Sequence, residues 1–486
     1  MEIESISGFR LSPQQEHIAA VADGASYPVS GCLYLCKGPL DVEALHSAIG
    51  AIVARHEILR TIFPKQRELK LPLQVILDAD KPNIQVEDLS ALPDAERRTA
   101  LEHGFAAAVH GRSKASEAPV LSATLFRLAD EEHALLLKTS SLCADAASFL
   151  VLAEELRQEL AGTIPNAELT QYADVTEWQH DLLGATEEGT DAARAFWRNQ
   201  VHTPLMLPLE SEAASGEAES VKVGIAAVDA ERLRTAGQTV GASEADVLLA
   251  AWHVLLHRMT GDARTVVLAG STGRDYDEIK NAIGLFSRYL PVAVEFDGKS
   301  RFDEILRTVA TASKQAREQQ DWFTPGSAAT GPAIGFHYLD LRTGEQSGRV
   351  TISPVAVRAG AERLKLHLVA TEANDGLNLD LEYDPARYAR RSMEQLGASF
   401  AMVLTQAVAE PRLALGSFSL VTADGKKALI AQGTGAEKEF PPSAIHSLIS
   451  LQALRSPGAF AVRSGADALS YLELDSGSNR LARRCV

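Results

Sequence analysis

The sequence predicts an α/β fold in which strands and amphipathic helices alternate along most of the 486-residue chain. Apolar runs such as residues 133–141 (HALLLKTSS) and residues 265–275 (TVVLAGSTGRD) are typical of buried strands that end in a turn. The first of these runs is followed by an apolar stripe at helical spacing, formed by Phe149, Leu152, Ala153, Leu156 and Leu160. Apolar residues also alternate along residues 377–383, as they do in a half-buried strand.

The starts of several helices can be placed from their capping residues. Asp41 precedes a stripe that begins at Leu45, and a side-chain oxygen at this position can accept the first free backbone N–H groups. Ser243 and Asp246 resemble a capping box before the apolar helix at residues 247–259. Asp145 is an N-cap candidate for the helix that follows residues 133–141.

The composition excludes some classes of function. With 47 Lys and Arg against 64 Asp and Glu, the net charge is −17, which argues against nucleic acid or an anionic membrane as the main partner. The first residues have no signal-peptide pattern, and no apolar run approaches the ~18 residues of a membrane span. We therefore expect a cytoplasmic protein with no membrane partner. The four cysteines are Cys32, Cys36, Cys143 and Cys485. Their spacing is not that of metal ligands, so we expect reduced thiols and no metal site.

The chain is expected to divide into three parts. Residues 211–219 (SEAASGEAE) are small and polar, as in an exposed linker between two α/β halves. We place these halves at residues 1–200 and 201–425. Residues 426–486 follow a Gly/Pro-rich connector and predict a helix, a hairpin around SGADAL and a second helix. This tail is too small for a domain and is interpreted as the start of one.

The strand at residues 133–141 ends in two serines, at a position where enzymes often present a catalytic side chain. Ser140 and Ser141 have no histidine beside them in sequence, and a serine hydroxyl needs an adjacent base to act as a nucleophile. Cys143 lies in the same turn and is an alternative nucleophile, although a small packing residue is the interpretation that we favour.

Several segments together resemble the condensation domain of non-ribosomal peptide synthetases, over nearly the whole of residues 8–420. The segment at 55–63 matches the family's second motif residue for residue. The segments that carry the resemblance are LSPQQEHI (11–18), RHEILRTIF (55–63), YADVTEW (172–178), STGR (271–274), IGLFSRYLPV (283–292), QQDWF (319–323) and GFHYLDL (335–341). The tail segment LSYLEL (469–474) is similar to the first motif of an adenylation domain.

This resemblance implies two chloramphenicol-acetyltransferase-like lobes in a V shape with a tunnel between them. It also implies that the domain binds no cofactor of its own and is visited by the phosphopantetheine arms of peptidyl carrier proteins. An adjoining adenylation domain is the second implied partner.

The family's third motif, H-H-x-x-x-D-G, aligns with residues 140–146 (SSLCADA), so both histidines and the glycine are absent. The resemblance assigns the catalytic positions to Ser140, Ser141 and Asp145, which form a degenerate motif here. Loss of a general base commonly lowers a rate by ~10²–10⁴-fold. The resemblance gives the retained aspartate a structural role, as the partner of an arginine beneath the turn, either Arg60 or Arg274.

Other positions become candidates for the wall of the tunnel. Ser287, Arg288 and Tyr289 replace the family's Val-Asn-Thr, and only one of the first two can face the tunnel because neighbours in a strand point to opposite sides. His337 stands where the family often has asparagine, and Cys143 completes this set.

Three interpretations of function remain open. The first is a non-catalytic platform for a carrier protein, the adenylation domain or a tailoring enzyme such as a hydroxylase, and we favour this one. The alternative is an active condensation domain that joins carrier-bound substrates by positioning or with another base. A stand-alone acyltransferase that uses coenzyme A is the weakest, because that chemistry also needs a histidine.

Overall fold

The structure is a computed structural model that describes most of the chain. The described residues are 8–22, 26–65, 69–80, 82–118, 120–163, 169–185, 190–200, 205–208, 210–211, 218–225, 227–325, 333–343, 348–360, 362, 364–374, 376–435 and 443–485. The chain forms two compact units, Met1–Thr422 and Ala423–Val486. The domain boundaries given above, at 200/201 and 425/426, remain predictions.

Strands and helices alternate along the chain. The strands are β1 (Tyr27–Lys37), β2 (Thr61–Ile62), β3 (Val75–Ile76), β4 (Ile84–Asp88), β5 (Arg112–Ser113), β6 (Ser122–Ala129), β7 (Glu132–Ser140), β8 (Glu219–Val223), β9 (Arg264–Ser271), β10 (Arg288–Glu295), β11 (Ala333–Asp340), β12 (Thr351–Arg358), β13 (Leu364–Ala373), β14 (Gly376–Tyr383), β15 (Phe460–Ser464) and β16 (Asp467–Ser470).

The helices are α1 (Pro13–Val21), α2 (Val42–Arg55), α3 (Asp94–Val109), α4 (Ala146–Ala161), α5 (Tyr172–Gly184), α6 (Thr190–Asn199), α7 (Ala227–Gln238), α8 (Glu244–Thr260), α9 (Phe302–Glu318), α10 (Arg390–Ala409), α11 (Ala423–Gly433), α12 (Ile445–Arg455) and α13 (Tyr471–Cys485). Short 3₁₀ turns occupy Glu57–Arg60, Asp277–Ile279, Gln320–Trp322 and Leu415–Ser417.

The predicted caps on three helices are confirmed. The Asp41 carboxylate accepts a hydrogen bond from the backbone N–H of Glu43 at 2.9 Å, and Asp145 caps α4 in the same way. Ser243 and Asp246 form the predicted capping box of α8. Most of the predicted linker, residues 212–217, lies outside the described residues.

The first sheet of the larger unit has the strand order β12-β1-β7-β6-β4, with β5 paired to β1. It is mostly antiparallel, and only the β4–β6 pair is parallel. Its edge strand β12 comes from the middle of the second half of the sequence and pairs antiparallel with β1. The chain therefore crosses from the second lobe to the first for one strand and returns at β13.

The second sheet has the order β10-β9-β11-β13-β14-β8, in which β11 is parallel to both β9 and β13. One face packs under α8, α9 and α10 as the main core of the second lobe. A separate core of the first lobe also contains side chains from residues 279–286, together with Ile352 of β12. The two lobes thus share buried apolar surface as well as a strand.

The smaller unit contains α11, α12, the β15–β16 hairpin and α13, which confirms the helix, hairpin and helix predicted there. Several large apolar side chains of this unit are exposed, among them Ile445 at 78% and Leu454 at 81%. Among the helices described in either unit, none is long and apolar enough to cross a membrane.

Candidate functional site

The turn between β7 and α4 carries the candidate site, and its centre is the buried carboxylate of Asp145. This residue is 1% exposed and receives two hydrogen bonds from one guanidinium group. The Arg274 Nη1 atom lies 2.8 Å from Oδ2, and Nη2 lies 2.9 Å from Oδ1. Arg274 also lies over the ring of Phe286, 4.4 Å from its centroid. The two parallel hydrogen bonds between Arg274 and Asp145 fix both the position and the orientation of the two side chains.

Backbone and hydroxyl donors occupy the rest of the Asp145 carboxylate. The N–H groups of Phe286 and Ser287 donate to Oδ2 at 3.0 and 2.9 Å, while the Ser148 N–H and hydroxyl donate to Oδ1 at 2.9 and 2.8 Å. Burial raises the pKa of Asp145, but the Arg274 charge and these hydrogen bonds outweigh it, and the net pKa is lowered. Asp145 is therefore an ionised structural group with no free position for a substrate.

The first and fourth motif segments converge on the same turn. The Tyr172 hydroxyl lies 2.7 Å from the Ser12 hydroxyl and donates to the Leu285 carbonyl at 2.9 Å. Gln15 donates to the Leu142 carbonyl at 2.8 Å. At Gly284 the chain passes so close to Tyr172 that a Cβ would lie 2.0 Å from the ring. The first and fourth motif segments and the segment at 283–292 therefore pack directly around this turn.

The serines of the turn are buried, and within the described part of the chain no basic side chain hydrogen-bonds to either hydroxyl. The Ser140 hydroxyl accepts a hydrogen bond from the Leu142 N–H at 3.4 Å. Ser141 is 0% exposed, and its hydroxyl has no hydrogen-bond partner among the described residues. Cys143 is also buried, its thiol faces the Thr61 carbonyl at 3.9 Å, and burial raises its pKa to about 12. The turn offers neither an activated hydroxyl nor a thiolate.

Of the two arginines considered as partners of Asp145, the structure brings Arg274 to it and places Arg60 elsewhere. Arg60 donates to the Leu77 carbonyl at 2.5 Å and lies 3.6 Å from the Glu57 carboxylate.

The candidates in the segment after Gly284 point in different directions. Ser287 is half-buried and contributes its backbone N–H to Asp145. Arg288 is buried and turns toward the end of α9, where it donates to Asp321 at 2.9 Å and to the Gln320 carbonyl. Tyr289 points to the other side of the strand, as the period of two requires.

Tyr289 meets His337 on the face of the second sheet opposite its core. Its hydroxyl lies 3.3 Å from His337 Nδ1. Burial, followed by the charge of His367, lowers the pKa of His337 to about 3, so this imidazole is neutral. Sequence reasoning missed the next two groups on this face, His367 and Glu382, whose Nδ1 and Oε2 atoms lie 3.1 Å apart. The one feature of the sequence that could have pointed to His367 is its position as a histidine within the largely apolar strand β13.

Two cavities lie against the face that carries these groups. One, of about 550 Å³, is lined by Glu219 and Glu382 of the second sheet and by His110 and Arg358 of the first lobe. The other is small; its lining residues are Gln14, Ile18, Leu285, Ser287, Arg288, Tyr289, Pro325, Gly360 and Glu362. Both cavities have walls from the two lobes. Across the described part of the chain, no cluster of His, Cys, Asp and Glu has the form of a metal site.

The chain belongs to the condensation domain family, which matches residues 11–322 and therefore more than half of the sequence. Among curated relatives, tyrocidine synthase 3 of Brevibacillus parabrevis is 28% identical over 489 residues. That alignment covers 94% of this chain and 7% of the synthase. The chain thus spans a small part of the length of this relative.

Solved structures show the same fold. The first condensation domain of the CDA synthetase superimposes with a TM-score of 0.71 at 20% identity, over 86% of this chain and 99% of that one. The X-domain in its complex with OxyB from teicoplanin biosynthesis gives a TM-score of 0.68 at 22% identity, over 87% of this chain and 98% of that one. The predicted α/β fold with two chloramphenicol-acetyltransferase-like lobes is confirmed.

Proposed function

We propose that this chain is a condensation-like domain of a non-ribosomal peptide synthetase that acts as a non-catalytic platform. The observation that carries the proposal is the turn at residues 140–146, read as a degenerate form of the family's histidine motif. Asp145 is fully occupied by Arg274 and the surrounding N–H groups, and Ser141 is buried without a base among the described residues. A turn built in this way stabilises the contact between the lobes and moves no proton.

The partners of the platform follow from the same reading. The arm of a peptidyl carrier protein is the visiting group for the cleft between the lobes, and the domain itself holds no cofactor. The LSYLEL segment and the fold of the smaller unit support an adjoining adenylation domain. The likeness to an X-domain that binds OxyB supports recruitment of a tailoring enzyme, such as a hydroxylase. Such an assembly works in the cytoplasm.

The decisive experiment is a reconstitution with loaded donor and acceptor carrier proteins, read by mass spectrometry of the acceptor arm. We expect no joining of the two amino acids by the wild-type protein. Deletion of the domain from the synthetase should abolish modification of the carrier-bound amino acid. Ser141→Ala should leave that modification unchanged, because the hydroxyl takes part in no proton transfer. Ser141→His alone should not create an efficient condensing enzyme, because Ala146 and residues 287–289 also depart from the family pattern.

A second candidate function is condensation with a base from another element, and the His367–Glu382 pair is the observation that favours it. Joining at ~1 s⁻¹, the low end of ordinary turnover, would reject the platform. If Ser141→Ala then lowered the rate of joining by ~10²-fold, that serine would be assigned a catalytic role. If the wild type joined the substrates fast and Ser141→Ala did not change the rate, the base would have to come from the second sheet.

A further inference from the structure

The larger of the two cavities, of about 550 Å³, lies within the size range of small-molecule sites, which is ~300–1,000 Å³. Charged and titratable side chains form most of its lining: His110, Glu219, Arg358, Glu382 and Arg390. Both signs of charge are therefore present on its wall. Which of these charges already have partners within the protein decides what the cavity can bind.

Glu219 and Arg390 balance each other at the edge of the second sheet. Their carboxylate and guanidinium groups lie 3.8 Å apart. Glu219 also accepts a hydrogen bond from the Tyr383 hydroxyl at 2.7 Å, and Arg390 lies 3.3 Å from the Glu394 carboxylate. The charges of this exposed pair are thus neutralised within the protein.

Arg358 and Glu382 are the remaining opposite charges, and they are not paired with each other. Arg358 is the last residue of β12 in the first sheet, and Glu382 lies in β14 of the second sheet. Both side chains are half-buried, and the ion pairs among the described residues do not include one between them. Each of the two charges has a histidine beside it instead. Arg358 Nη1 donates to His110 Nε2 at 2.8 Å, and Glu382 Oε2 lies 3.1 Å from His367 Nδ1.

Strand register and a close helix approach hold Arg358 in place. Arg358 pairs with Gly31 of β1, and a Cβ on Gly31 would lie 2.9 Å from Cγ1 of Val109. The end of α3 therefore packs closely over the face to which Arg358 points, because directly opposed residues share a face of the sheet. His110 follows, and its Nδ1 donates to the Ala106 carbonyl at 2.7 Å, so its Nε2 is the acceptor for Arg358. One nitrogen of the guanidinium group is held in this way, which leaves its other N–H groups to donate toward the cavity.

Glu382 is positioned by the register of the second sheet. It pairs with His367 of β13 and with Ser220 of β8, on the face opposite the core. Burial raises the pKa of Glu382, but its hydrogen bond with His367 and the neighbouring charges, Arg358 among them, lower it on balance. The carboxylate is therefore ionised at neutral pH. Ser220 also lines the cavity and adds a hydroxyl group beside it.

Two fixed charges of opposite sign, one from each lobe, select a guest that carries both charges. A carboxylate alone would bind Arg358 but face the like charge of Glu382, and an amine alone would bind Glu382 but face Arg358. A small zwitterion forms a charge-assisted hydrogen bond with each of them and adds no net charge. Free amino acids are zwitterions of this kind.

We propose that the cavity between the lobes binds a free amino acid, with its carboxylate on Arg358 and its ammonium group on Glu382. The inference goes beyond the platform function, because no carrier arm takes part in it. An amino acid held on a carrier is a thioester and has no free carboxylate, so the site distinguishes the free amino acid from the carrier-bound form.

The test uses three small probes and the full chain without any carrier protein. Alanine carries both charges, alaninamide lacks the carboxylate charge, and N-acetylalanine lacks the ammonium charge. Isothermal titration at neutral pH and low ionic strength should show alanine binding about tenfold more tightly than either of the others, as one charge-assisted hydrogen bond predicts.

Two variants should each remove a different half of this selectivity. Arg358→Gln should reduce the preference for alanine over alaninamide to about onefold and keep the preference over N-acetylalanine. Glu382→Gln should do the reverse. A variant that failed to fold would lose both preferences, so this crossed pattern separates loss of a single contact from loss of structure.

Arg127→Gln and Glu295→Gln are the matched controls, because they remove the same charges from exposed positions of the same two sheets and neither residue lines the cavity. Both controls should keep both preferences. Equal affinity of the wild type for the three probes would overturn the proposal, as would failure to bind alanine at millimolar concentration. Preferences that survive Arg358→Gln and Glu382→Gln would also overturn it. Efficient condensation in the carrier-protein assay would instead reject the platform and leave the amino acid site standing, so the two failures are distinguishable.

Discussion

At the residue scale, Asp145 is a buried charge that holds distant segments of the chain together. Its carboxylate joins the start of α4 to Arg274 and to the backbone at residues 286–287. Asp145→Ala would leave the Arg274 guanidinium, on a side chain that is 5% exposed, without its counter-charge. We expect the free energy of unfolding to fall by ~3–5 kcal/mol, measured by urea or thermal unfolding.

Asp277→Ala is the control for this prediction, because its pair with Lys280 is exposed and such pairs contribute little. The lowered pKa of Asp145 also sets a direction with pH. Its stabilisation is present above the unfolded-state value, ~3.9, and is lost as pH falls through the lower folded-state value. An unfolding curve unchanged by Asp145→Ala would show that the pair is not structural.

At the element scale, the close approach of residues 283–286 to α5 is the most demanding packing near the site. A Cβ at position 284 would lie 2.0 Å from Cδ2 of Tyr172, and Tyr172 is fixed by its contacts with Ser12 and Leu285. We expect Gly284→Ala to lower the free energy of unfolding by ~1–3 kcal/mol, because overpacking forces the ring or the backbone to move. Chemical denaturation measures this loss.

Two further variants test the cause of that loss. In Gly284→Ala combined with Tyr172→Leu, the clash is relieved, so the two losses should not add. Gly50→Ala, in the middle of α2 with open space around it, should instead stabilise the protein by ~0.5–1 kcal/mol through helix propensity. Strictly additive losses in the double variant would contradict the steric explanation.

The elements also show which features a sequence can predict. The caps at Asp41, Asp145 and Ser243 were readable because capping depends on residues within one turn of the chain. His367 and Glu382 were not readable as a pair, because 15 residues separate them and only the register of β13 and β14 brings them together. The choice between Arg60 and Arg274 stayed open for the same reason, since it depends on how distant segments meet.

At the scale of the whole larger unit, the lobes are coupled through three kinds of contact. Strand β12 extends the first sheet from within the second half of the chain, residues 279–286 enter the first core, and Asp145 binds Arg274. Each contact buries groups of both lobes together. We therefore expect the larger unit to unfold in a single cooperative transition, with equal calorimetric and van't Hoff enthalpies.

Breaking the β12 contact should uncouple the lobes. Successive N–H groups of a strand point to opposite sides, so Ala356→Pro with Val357→Pro removes one hydrogen bond to β1 whichever residue donates it. We expect the transition to split in two by calorimetry. Fluorescence should assign one step to the second lobe, because Trp252 lies in its core and every tryptophan belongs to the larger unit.

The matched control is Val86→Pro with Glu87→Pro in β4, at the opposite edge of the first sheet. It removes the same kind of hydrogen bond but breaks no connection between the lobes. This variant should therefore lower the midpoint and keep a single transition. If the β12 variant also unfolds in one step, then the shared core around residues 279–286 and the Asp145–Arg274 pair are sufficient to couple the lobes, and β12 only adds stability to the first sheet.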